Sequence, residues 1–141
     1  MNDQLIFLPV LLQILVTLYA YVLLSTAKFR AAKAGLVNDA RRSLHDDAWP
    51  DNVIQINNNI RNQFELPVLF YVLVILLWAL DAASITVQAI AWLFALSRVV
   101  HLHIHTGSNF VPLRRRIFMF GYGMVALLLG AAVLAVLRIG P

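Results

Sequence analysis

Three observations predict an all-α membrane protein: a four-transmembrane-helix bundle whose helices run alternately up and down. Of 141 residues, 61% are hydrophobic and 13% charged, with a mean hydropathy of +0.78, too greasy for a water-soluble domain. The apolar residues gather into four runs near membrane-spanning length. Lysine and arginine crowd into the first and third connections between those runs, which is a topological signature. A net charge of +4 would also suit a nucleic-acid binder, but the basic residues flank apolar segments and form no aromatic-interleaved surface. The chain has no cysteine, which excludes disulfides and a thiolate nucleophile of its own. If the chemistry uses a reactive sulfur, a substrate brings it.

The length predicts a single domain over 1–141, with helices at about 5–30, 53–80, 83–105 and 112–138. Leu5 to Ala27 is an uncharged run of 23 residues, enough to cross a hydrocarbon core of about 30 Å. Met1, Asn2 and Asp3 offer no basic leader region, so the run is expected to be a retained helix. Pro9 falls near its start, where proline costs least, and Lys28, Arg30 and Lys33 close it. The segment from Ala31 to Asn57 is a long polar connector, with a turn at Trp49, Pro50, Asp51 and Asn52. The second span needs the polar residues before Leu66 to reach membrane-crossing length, and Pro67 is expected to kink it. Asp81 to Ser84 forms a tight break with capping residues. The third span follows and ends at His105. Gly107 to Asn109 is a turn, Pro112 suits a first helical position, and Arg138, Gly140 and Pro141 end the fourth span. The basic loops place both termini outside and both loops in the cytoplasm.

Ionisable residues at the ends of these spans carry the functional signal. At about 100° per residue, Arg98, His101 and His105 fall within roughly 60° of one another on a helix, while His103 points about 140° from Arg98. A cation at membrane depth costs about 2.5 to 3.5 kcal/mol and turns inward or toward a partner. Asn58, Arg61, Asn62 and Glu65 make a second polar stripe where the second span begins, and the two stripes are placed to meet. An Arg61–Glu65 ion pair at i, i+4 would explain that stripe structurally. Alternatively, Glu65 accepts a ligand ammonium while Arg61 or Asn62 holds carboxylates, which fits a small zwitterionic peptide. Arg114, Arg115 and Arg116 oppose the dipole of the fourth helix unless they share an anion with its free N–H groups. Arg114 is the one placed for a ligand. His101 and His105 have metal-ligand spacing, and Glu65 could add a carboxylate, but the neighbouring arginines disfavour a cation and no metal is expected.

Taken together, Arg61, Asn62, Glu65 and Pro67, then Arg98-x-x-His101-x-x-x-His105, then Arg114 nine residues later, resemble the MAPEG family, the membrane-associated proteins of eicosanoid and glutathione metabolism. The resemblance spans all four helices in order and looks like that of a divergent bacterial branch, hence an inner-membrane protein. His105 stands where the family usually has tyrosine, Asn58 where another arginine is common, and Phe118 where a second tyrosine can occur. The resemblance implies a homotrimer with glutathione as co-substrate, bound between protomers near the cytoplasmic face. Arg30 of a neighbour, Asn58, Arg61, Asn62, Glu65, Arg98, His101 and His105 would bind it. Arg114 would stabilise its thiolate for attack on a hydrophobic electrophile or lipid peroxide, in a transferase or peroxidase reaction. The competing reading is a non-catalytic lipid-binding or accessory subunit whose polar stripes satisfy only each other.

Overall fold

The computed structural model describes residues 3–139, so Met1, Asn2, Gly140 and Pro141, invoked above for the leader and the final stop, lie outside the described residues. A 3-10 turn, Asp3–Ile6, leads into α1 (Phe7–Lys33), and a second, Asp46–Ala48, lies in the connector that follows. After the polar connector come α2 (Asp51–Gln63), α3 (Leu66–Ala79), α4 (Ile85–Thr106) and α5 (Val111–Ile139). No strand occurs among the described residues. Four stretches are long and apolar enough to cross a membrane: Asp3–Lys33, Asp51–Ala79, Ile85–Thr106 and Val111–Arg138.

Local chemistry sets each boundary. Gly35, at φ +67°, closes α1: its N–H returns to the Ala32 carbonyl and that of Leu36 to Ala31, at 3.1 and 3.0 Å. This double return is the Schellman arrangement, and it needs a residue at ease in the left-handed region. Ser84 caps α4 by accepting from the Val87 N–H at 3.3 Å. Pro112 is the second residue of α5, within the turn whose N–H groups have no helical partner anyway.

The second span is two helices, where one over 53–80 was expected. Proline lacks an N–H, and its ring clashes with the carbonyl four residues back. For Pro67 that residue is Gln63, the last residue of α2. Glu65, at φ −101° and ψ −101°, then precedes α3 and belongs to neither helix. The fourteen residues of α3 span only about 21 Å, so α2 has to carry the polar end of the crossing.

Two apolar clusters show the alternating directions. One joins Ile6, just before α1, to Leu77 late in α3, Val87 early in α4 and Ala132 late in α5. The other joins Ala31, at the end of α1, to Val53 early in α2 and Leu102 late in α4. Gly121 on α5 allows a close approach to α4, since a Cβ there would sit 3.2 Å from Ser97 Oγ.

Inside the bundle lies a chain of amides. Gln13 Nε2 donates to Gln63 Oε1 at 2.8 Å, and Gln63 Nε2 donates to Asn59 Oδ1 at 3.1 Å. All three side chains are buried, so α1 is bonded to the last turn of α2 in a setting where water competes poorly. Interhelical bonds of this kind contribute about 0.5–2 kcal/mol within membranes. Gln13→Leu is expected to lower unfolding stability in detergent by about that amount, read from the denaturation midpoint. An unchanged midpoint would show that the amide chain carries no stability.

Candidate functional site

The break between α2 and α3 creates the site. The last carbonyls of a helix have no i+4 N–H to receive, and Asn62 lies one residue from the end of α2. Arg98 Nη2, from the adjoining α4, donates to that Asn62 carbonyl at 3.3 Å. A cation at a helix C-terminus is also favoured by the helix dipole. The meeting of the two polar stripes is therefore made by a main-chain acceptor.

The α4 stripe is as inward as its spacing predicts. Arg98, His101 and His105 are 1%, 2% and 3% exposed. The imidazoles stand nearly perpendicular, with centroids 5.4 Å apart, and Phe118 of α5 lies 6.1 Å from His101 and 6.0 Å from the Arg98 guanidinium. Buried Arg98 Nε and Nη1, and Nδ1 of both histidines, have no hydrogen-bond partner among the described residues. An unmatched buried polar group costs about 1–3 kcal/mol, so the arrangement keeps unused hydrogen-bonding capacity where the fold could least readily leave it idle.

Arg114 completes the group from the first turn of α5. Its Nη1 donates to Asn109 Oδ1, and a cleft of about 300 Å³ is lined by Asn62, His101, Arg114, Arg115 and Phe118 together with Val111. The cleft therefore carries two guanidinium groups, an imidazole and a carboxamide beside an aromatic ring. One turn further along α5, Tyr122 lines an apolar groove of about 320 Å³ with Leu66, Leu69 and Leu73 of α3.

The other expected site residues do not line this cleft. Arg30, Asn58, Arg61 and Glu65 are exposed. Asn62 Nδ2 donates to the Asn58 carbonyl at 3.2 Å, which ties the Asn62 side chain to its own helix. The Arg61–Glu65 pair allowed by the spacing is replaced, because the helix break removes Glu65 from α2 and Arg61 pairs with Asp46 of the connector. Among the described residues no three potential metal ligands of the His, Cys, Asp or Glu types cluster together.

Several residues that shape the site escaped the sequence reading. Gln13 was the one long polar side chain inside the first apolar run, a signal available but unused, and Asn59 and Gln63 share i, i+4 spacing. Asp46, Gln55 and Asn109 gave no signal, since their partners lie on other elements.

No curated protein and no solved structure matches the chain. The family model of the MAPEG family matches residues 6–134 of it, a stretch that runs from the start of the bundle across both polar stripes and Arg114. The chain is an integral membrane protein that belongs to the MAPEG family, whose members include glutathione transferases and peroxidases and generally use glutathione.

Proposed function

We propose that the protein is a glutathione-dependent membrane transferase or peroxidase acting on hydrophobic electrophiles or lipid peroxides. The observation that carries this reading is the cleft itself, where Arg114 and Arg115 face an opening backed by His101, Asn62 and Phe118. A sealed stripe with no opening would favour a non-catalytic subunit, and the cleft weighs against that.

The donor set fits glutathione, which supplies a nucleophilic sulfur, two carboxylates and an ammonium group. Asn62 and His101 give the cleft its polar lining beside the arginines, and Arg98 is bonded to the Asn62 carbonyl from within the bundle. Arg98 has two N–H directions unused by the protein, and a guanidinium presents paired donors that match a carboxylate. Arg114 is the counter-ion for sulfur. A free thiol has a pKa near 8.5, and each unit of depression corresponds to about 1.4 kcal/mol, which a half-desolvated guanidinium at a helix N-terminus can supply. In transfer, sulfur bonds to carbon while the leaving group takes the electron pair. In peroxide reduction, two thiols and one hydroperoxide give a disulfide, an alcohol and water. The apolar α3–α5 groove, whose Tyr122 stands one helical turn from Phe118 of the cleft, is assigned to the lipophilic partner.

Arg30, exposed at the end of α1, is assigned to a neighbour's site in a homotrimer, and Asn58, Arg61 and Glu65 to the rim that holds the ends of the tripeptide. In a bacterial inner membrane, the basic connections put the cleft toward the cytoplasm and both termini in the periplasm.

Calorimetric titration of the purified protein with glutathione tests the reading. Wild type is expected to give saturable heat at millimolar ligand, and Arg114→Ala to keep affinity within about threefold while losing thiolate ultraviolet absorbance by about tenfold or more. Absence of heat from wild type would sink the proposal. The Arg61–Asp46 pair supplies a second test. Both side chains are more than half exposed, so the pair is weak, with exposed pairs contributing about 0.2–1 kcal/mol. A ligand carboxylate has to displace Asp46, and Asp46→Asn is expected to tighten glutathione binding about two- to fivefold. Unchanged or weaker binding would show that Arg61 takes no part.

A further inference from the structure

An arginine on the first turn of a helix has four flexible torsions and would sweep a wide volume unless something held it. Asn109 holds Arg114: its Oδ1 accepts from Arg114 Nη1. Asn109 is itself fixed to the end of α4, because its N–H donates to the Ile104 carbonyl at 2.8 Å. Its φ of +50° lies in the left-handed region that asparagine tolerates better than most residues.

The turn beneath it is braced from a third helix. Gln55 of α2 donates to the Gly107 carbonyl at 3.1 Å. A Cβ at Gly107 would lie 2.8 Å from the His103 carbonyl oxygen, so the chain passes too close to α4 for any side chain there. Asn109 therefore stands on a support shared by α2 and α4, and carries that rigidity across to the first turn of α5.

The chemistry of the acceptor matters as much as its position. Arg41, Arg42 and Arg61 face the carboxylates of Asp47, Asp39 and Asp46, and their charge is largely compensated. Arg114 faces a carboxamide. A neutral oxygen takes one of the five guanidinium donors and leaves the positive charge uncompensated. An aspartate in the same place would hold the group equally well while cancelling that charge.

We infer that Asn109 is the positioning residue for Arg114, clamping the guanidinium over the cleft through a neutral acceptor so that its charge remains available to an anionic sulfur. The inference rests on the glutathione reading above and adds a residue outside both polar stripes.

Two variants separate this role from a merely structural one. Asn109→Gly keeps access to positive φ and removes the acceptor, whereas Asn109→Asp keeps the acceptor and adds a charge. Each is compared with wild type for glutathione affinity by calorimetry, for thiolate absorbance of the bound complex, and for kcat and KM with 1-chloro-2,4-dinitrobenzene as electrophile. Both variants are expected to bind glutathione within about threefold of wild type, with thiolate absorbance and kcat lowered about tenfold or more. A structural role predicts the opposite split: Asn109→Asp would behave as wild type, and Asn109→Gly would lose affinity and melting temperature together. Either of those results, or wild-type thiolate absorbance and kcat in both variants, overturns the assignment while leaving the glutathione reading intact. If wild type itself forms no thiolate, both fall.

Discussion

A guanidinium buried inside a membrane-spanning bundle has to find oxygen acceptors within the protein, and in this chain that requirement is met by a helix that stops early. Arg98 is 1% exposed, and its observed acceptor is the Asn62 carbonyl, 3.3 Å away. In an unbroken helix that carbonyl would be engaged by the N–H of residue 66. Pro67 ends α2 at Gln63, so a proline in one span makes the arginine of another tolerable. The same break removes Glu65 from α2 and leaves Arg61 to the connector. Much of the site's geometry follows from this single interruption.

The two halves of the bundle accordingly do different work. The half near Ile6, Phe70, Leu77 and Leu128 is an apolar core, where dispersion and close approach hold the helices. The other half carries the amide chain of Gln13, Gln63 and Asn59, the arginine–carbonyl contact and the cleft. Helix α4 crosses both. Gly121 lets α5 approach it closely beside Phe94 and Ser97, bringing Phe118 and Arg114 over the imidazoles. A site assembled from main-chain groups and rigid turns is preorganised, which is what electrostatic stabilisation of an anion needs.

The inward face of α4 was legible because helical periodicity is local: Arg98, His101 and His105 project together from any regular helix, whatever surrounds it. The four spans were legible for a similar reason, since length and hydropathy alone meet the bilayer's demand. The break at Phe64 and Glu65 was foreseen only as a kink, because a proline near the start of an apolar run is compatible with either outcome. The roles of Asp46 and Asn109 were invisible, since an exposed aspartate in a polar connector and an asparagine in a turn have ordinary local explanations. What distinguishes them is a partner 15 residues away in one case and the start of the next helix in the other.

The sequence by itself determined the class of the protein, the number and order of its crossings, and the polar face of its third span, because all of these follow from composition and periods of a few residues. The tertiary structure decided which acceptor Arg98 uses, that Arg61 faces Asp46, that Gln13 reaches Gln63, and that Arg114 is held by a neutral group over an open cleft. Those outcomes depend on distances between separate helices, which packing sets and no local pattern encodes.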